Sequence, residues 1–196
     1  MAFTVPLPRS PLEDGPARWY AHELGWATVE GPPVQLVTGL RFDVLEMPAV
    51  AGREVLRRMG GAVGPVALMG RRMRLLVAAG SAEELPGLLD WLEWGGITLD
   101  LAALGAGGRM TAPIPPGWSG SGAPGAAVWL RAPEPGREVE SSLPALQTAV
   151  RGDAGAPCLV RLVAAAAGEC HRARLLGART RGQASRQLTG QRFASS

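Results

Sequence analysis

Apolar runs crowd the first half of this chain more tightly than alternating crossovers allow. Trp26–Glu30, Val34–Gly39, Phe42–Met47, Pro65–Gly70 and Met73–Gly80 each read as a strand, bounded by Gly, Pro or Arg turns. One helical pattern interrupts them: Ala51–Gly60 places Val55, Leu56 and Met59 on one face. A parallel sheet needs a crossover of a dozen or more residues between neighbouring strands. Most of these runs are joined by far less, so the pattern predicts an α+β fold with a mixed or antiparallel sheet and flanking helices.

The rest of the chain fits that reading. Pro16 is suited to a first helical turn, and Gly25 to the stop of a helix over Pro16–Gly25. Ser81–Gly96 reads as the clearest helix, with Ser81 as N-cap, Glu84 completing a capping box and Gly95-Gly96 as its end. Ile97–Leu101, Arg109–Pro116 and Ala126–Pro135 read as further strands, and 141–150 as a short helix. A long helix over 157–176 follows. The sequence divides into an extended, proline-bearing arm (1–15), an α+β domain (16–135), a helical extension packed on it (136–178) and a disordered basic tail (179–196).

Composition narrows the classes of partner. All 20 basic residues are Arg, with no Lys and no Asn, which fits a high-G+C genome and weakens the argument that Arg was selected for its geometry. Residues 1–150 hold 12 Arg against 15 Asp and Glu, a balance of −3; residues 151–196 hold 8 Arg against 2 acids, a balance of +6. The acidic body argues against a nucleic-acid grip spread over the whole surface. The basic end is suited to nucleic acid or an acidic partner. No run approaches 18 apolar residues and the N-terminus is not a signal peptide, so neither a membrane span nor secretion is expected. Cys158 and Cys170 lie 12 apart in the sequence. On one helix that is about 18 Å, too far for a disulfide. Reduced thiols in a cytoplasmic protein are the expectation.

Motifs for familiar chemistry are sparse. Gly105-Ala106-Gly107-Gly108 lacks the Lys-Ser/Thr of a phosphate loop and precedes a strand, so it reads as a hairpin turn. His22 and His171 are the only histidines, and neither has ligand spacing. Cys170 reads as a structural thiol, and Trp91 and Trp94 as packing residues. Gly70-Arg71-Arg72-Met73-Arg74 sets three arginines at a hairpin, where they can meet phosphate. The unusual feature is Leu40–Pro48, LRFDVLEMP, which puts Asp43 and Glu46 into an apolar strand; Asp100 repeats the pattern in Ile97–Leu101. Buried carboxylates are costly without partners. Asp43 and Glu46 differ by three and point to opposite faces, so only one of them can join Asp100. Carboxylates converging on Mg²⁺ or Mn²⁺ would serve metal-assisted phosphoryl transfer.

Four segments resemble the bifunctional DNA primase/polymerase N-terminal domain, the prim-pol branch of the archaeo-eukaryotic primases: Trp19–Val29, Val37–Met59, Pro65–Gly80 and Ile97–Pro116 with Ala126–Leu130 after it. The resemblance covers about residues 16–132. In that family two acids on one strand and a third later in the chain bind the catalytic metals, and a His on the hairpin helps bind nucleotide. By this resemblance Glu46 stands at the first acid and Asp100 at the third. Pro48 stands where the second acid belongs, and Arg72 or Arg74 where the His belongs. The resemblance therefore implies a degenerate domain that binds nucleotide or nucleic acid without efficient catalysis. An active metal-dependent nucleotidyltransferase, with Asp43 completing the site, and a protein-interaction module with a vestigial cleft are the alternatives.

Overall fold

The computed structural model describes residues 15–61, 63–118, 125–136, 139–146 and 158–193, with the side chains of the last helix described to Arg179. The proline-bearing arm and most of 141–157 lie outside the described residues.

The elements run α1 (Pro16–Glu23), β1 (Thr28–Val29), β2 (Gln35–Val37), β3 (Asp43–Pro48), α2 (Ala49–Met59), β4 (Val66–Met69), β5 (Arg72–Val77), α3 (Ser81–Trp91), β6 (Ala102–Leu104), β7 (Arg109–Thr111), β8 (Ala127–Arg131), a 3₁₀ turn at Val139–Ser142, and α4 (Leu159–Phe193). They form an α+β fold with two antiparallel sheets. One has three strands in the order β1-β2-β7; the other has five, β6-β3-β5-β4-β8.

The five-stranded sheet is the middle layer. On one face Leu45, Met47, Leu75 and Val77 meet Val55 of α2, Leu85 and Leu88 of α3, and Leu162, Val163 and Ala166 of α4. On the other face, toward one end, Val44, Ala67 and Leu76 meet Tyr20 of α1, Leu36 and Met110 of the smaller sheet, and Trp26 and Phe42 from the connections before β1 and β3. Cover on both faces is why the end of β5, Leu75–Val77, is apolar without alternation. Tyr20 ties the layers together: its hydroxyl donates to the Pro113 carbonyl at 2.8 Å and accepts from Trp129 Nε1 at 2.7 Å.

Several boundaries differ from the sequence reading, each for a local reason. Helix α3 is not capped by Ser81. Its N-cap is Gly80 in the left-handed region, and the Asp43 carboxylate accepts the Ala82 N–H at 2.9 Å from across the sheet. The same helix ends at Trp91, before Gly95-Gly96. Trp94 N–H bonds Leu89 O, Glu93 N–H bonds Asp90 O, and Glu93 takes φ 65°. This is a Schellman ending with glutamate in the position that usually holds glycine. Ile97–Leu101 is not a strand; Leu99 and Leu101 pack on the helical core, and pairing with β3 begins at Ala102.

Gly105–Gly108 does not close a hairpin, because β6 and β7 belong to different sheets. It carries the chain from one layer to the other. Thr38 pins it, with Oγ1 donating to Gly105 O at 2.7 Å and N–H to Gly108 O at 3.0 Å. Gly39, at φ 87°, lies so close that a Cβ there would sit 2.3 Å from Ala106 Cα. Helix α4 begins just after Cys158, and its backbone continues to Phe193. Its first half packs against α2, α3 and the sheet through Leu159, Leu162, Val163, Ala166 and Cys170.

Candidate functional site

Beyond the reach of α1 and the smaller sheet, the second face of the five-stranded sheet changes from apolar to charged. In the ladder Glu46 stands opposite Arg74, and Pro48 opposite Arg72. The pleat therefore puts Glu46, Arg72 and Arg74 on one face. Arg74 Nε donates to Glu46 Oε2 at 2.7 Å, and Arg72 Nε to Glu46 Oε1 at 3.0 Å. Arg72 Nη1 then reaches Asp100 Oδ1 at 2.7 Å. Both carboxylate oxygens of Glu46 are thus taken by guanidinium groups, and one guanidinium joins the two acids.

The geometry is built by local rules. Gly70 has φ 56° at the first central position of the two-residue turn between β4 and β5, as a II′ turn requires. That turn fixes the register, so Arg72 and Arg74 come out on the same side. Strand β3 runs through Pro48 directly into α2, where Ala49 N–H bonds Arg71 O at 2.8 Å. Asp100 is held from α4: the Cys170 thiol donates to the Asp100 carbonyl at 3.4 Å, and Arg174 Nη1 donates to the Thr98 carbonyl. No sequence motif signals this clamp, because it spans some 70 residues.

Burial alone would raise the Glu46 carboxyl, but hydrogen bonds and charge from Arg74, then Arg72, outweigh it and hold the group below the ordinary carboxylate range. Its side chain is 19% exposed and that of Arg74 11%. Two arginines and two acids leave the cluster formally neutral. Arg71, in the turn beside it, is exposed.

Asp43 is elsewhere. It faces the helical layer, is fully buried, and caps α3. Desolvation raises its carboxyl, against the N–H of Ala82, which lowers it. Sequence parity separates Asp43 from Glu46, and the structure does the same; Asp43 cannot complete a site with Glu46 and Asp100.

The fit of a divalent cation is poor in this arrangement. A Mg²⁺ or Mn²⁺ ion at Glu46 and Asp100 would have to displace Arg72 from both and would still gain two side-chain ligands only. Among the described residues no group of three or more His, Cys, Asp or Glu is placed to hold an ion.

The other residues singled out have separate settings. Cys170 is buried, and its environment pushes the thiol up to about 12, first by desolvation and then by the Asp100 charge. Cys158 is half-buried. His171 packs against Trp94 with ring centroids 5.6 Å apart, while Trp91 is exposed. His22 lines a cleft of about 340 Å³ with Arg18, Trp19, Glu23 and Trp118, a grouping that sequence spacing does not reveal. A larger cleft, about 440 Å³, lies by Gly64, Pro65, Arg131 and Ser142, and none of the charged cluster lines it. There Arg131 donates to the carbonyls of Gly60 and Val63, closing the end of α2.

Among known proteins, no family model, no curated protein and no solved structure matches this chain. No helix among the described residues is long and apolar enough to cross a membrane.

Proposed function

We propose that the chain is a primase/polymerase-like domain without efficient catalysis, and that it binds nucleotide or nucleic-acid phosphate without a metal ion. The observation that carries this reading is the fork of Arg72 across Glu46 and Asp100. The two acids that the prim-pol resemblance assigns to metals meet at one place, on one face, with an arginine between them. The arginine supplies the positive charge that a cation supplies in an active enzyme.

Phosphate recognition suits what is left over. Each paired guanidinium uses Nε and Nη1 within the protein, and phosphate needs further donors in a planar fork. Arg71 adds an exposed positive charge at the turn. Solvent reaches the cluster from the side of Arg72 and Asp100, which are 28% and 60% exposed, so a ligand meets it there.

Calorimetric titration of ATP and dNTPs into the purified chain, with and without Mn²⁺, tests the proposal. Binding that is indifferent to Mn²⁺ and weakened at least tenfold by Arg71→Ala or Arg72→Ala is expected. Binding that needs Mn²⁺ and is lost in Glu46→Ala and Asp100→Ala would instead establish a working metal site, and primer-extension assays would then decide between binding and polymerisation. No binding under either condition would leave the interaction-module reading.

A further inference from the structure

Along the part of α4 whose side chains are described, burial stops at Cys170: Leu159, Leu162, Val163, Ala166, Ala167 and Cys170 are buried, whereas Arg174 to Leu176, Ala178 and Arg179 are exposed. The backbone nevertheless stays helical to Phe193. From Arg179 that is a rod of about 21 Å.

Its composition is one-sided in charge. Residues 171–193 contain six Arg and no Asp or Glu. Arg172 and Arg174 are committed to the body, one to Glu169 at 2.8 Å and the other to the Thr98 carbonyl. Arg179 is exposed, and Arg181, Arg186 and Arg192 follow it in the sequence. On a helix Arg179 and Arg186 fall on one side, seven residues apart, and Arg181 falls roughly opposite. The interval 177–193 offers only Leu188 and Phe193 as large apolar residues. A coiled-coil seam or a helix lying in a membrane surface needs an apolar stripe, and this segment has none. A rod with cations on opposite sides matches a ligand that carries negative charge on both sides of it, as the walls of a nucleic-acid groove do. The major groove is about 12 Å wide and admits one α-helix.

We infer that the C-terminal part of α4 is a nucleic-acid arm that seats between the phosphate backbones of a duplex. It acts independently of the charged face of the sheet, since the two lie on different elements. The contact is to phosphates; it needs no base reading and is strongly salt-dependent.

The test uses the full chain and a fluorescein-labelled 20-bp DNA duplex, with fluorescence anisotropy read between about 50 and 200 mM salt. The comparison protein carries Arg179→Gln, Arg181→Gln, Arg186→Gln and Arg192→Gln, changes that keep helix propensity. Unfolding by urea checks that the body is unaltered. At least tenfold weaker binding is expected, with the salt slope reduced by up to about 4, near 0.9 per arginine. An unchanged affinity and slope would overturn the inference, as would absence of duplex binding by the natural chain. Tighter binding of a single-stranded 20-mer would overturn the groove geometry. Displacement of the duplex by poly-glutamate as effectively as by unlabelled DNA would also overturn it, and would assign the arm to an acidic protein. The nucleotide titration reads the other site, so either result stands without the other.

Discussion

Glu46 and Arg74 stand directly opposite each other on β3 and β5, and their side chains meet at 2.7 Å with little exposure to water. A pair in that setting is weak evidence for stability but strong evidence about what its loss does. Removing Glu46 strands Arg74, whereas removing Arg74 leaves Glu46 with Arg72 alone.

Glu46→Gln should therefore destabilise the chain by about 2–3 kcal/mol at neutral pH, read as a fall in the urea midpoint. Changing Glu46 and Arg74 together to Leu and Met should recover most of that loss, because no unpaired charge remains. A double variant as unstable as the single one would mean that the pair contributes more than mutual neutralisation.

The two strand carboxylates should have opposite pH signatures. The Glu46 carboxyl is held low in the fold, so its contribution is present above the unfolded value, about 4.3, and is lost as pH falls through the folded value. The Asp43 carboxyl is held high by burial, so folding favours its protonated form, and its contribution to stability declines as pH rises through the raised value. Asp43→Asn should then be more stable than the natural chain at pH 7, and the difference should shrink toward pH 4. For Glu46→Gln the deficit seen at pH 7 should shrink as the pH falls below about 4. Urea midpoints measured across this range separate the two.

Glu93→Gly should stabilise the fold by about 0.5–1 kcal/mol. Glu93 closes α3 at φ 65°, a conformation that glycine adopts without steric cost. A lower thermal midpoint in the variant would show that the glutamate side chain compensates for its backbone.

Gly52 and Gly39 offer a graded contrast. A Cβ on Gly52 would sit 2.3 Å from Met73 Sδ, the flexible end of a side chain; a Cβ on Gly39 would meet the backbone of Ala106 and sits at φ 87°. Gly52→Ala should cost about 1–3 kcal/mol, and Met73→Ala alongside it should relieve part of the crowding. Gly39→Ala should cost more, because neither the backbone nor φ can yield. Denaturant titration of the three proteins decides the order.

The native thiols should differ in reactivity. Cys170, raised to about 12 and buried, should resist a thiol reagent at pH 8 until the chain unfolds, while half-buried Cys158 reacts first. Two thiols reacting at one rate would show that α4 opens locally around Asp100.

Much of this architecture can be read along the chain. The α+β class follows from strands too closely spaced for crossovers. The placement of α1 follows from Pro16 and Gly25, and the opposed faces of Asp43 and Glu46 follow from their spacing of three. Where reading failed, the decisive partner was remote in sequence. Asp43 caps α3 from 39 residues away and outcompetes Ser81. Leu99 and Leu101 supply an alternating pattern, but they use it to pack on the helical core without a strand partner. The charged cluster shows the same limit. The sequence places Glu46, Asp100 and the arginines in neighbouring segments, yet the pairing of acid with arginine, rather than acid with acid, depends on the register of β3 with β5.

Tyr20 is the chain's single tyrosine, and it sits between the sheets with its ring 4.9 Å from Trp19 and 6.0 Å from Trp26 and its hydroxyl on Trp129. Such an arrangement couples the ring transitions of neighbouring aromatics, so near-ultraviolet circular dichroism will be dominated by this one junction, while the far-ultraviolet signal follows the helices on the opposite side. The molecule thus carries an optical gauge of whether its two sheets are docked, and melting followed at both wavelengths will tell whether the layers part before the helices unwind.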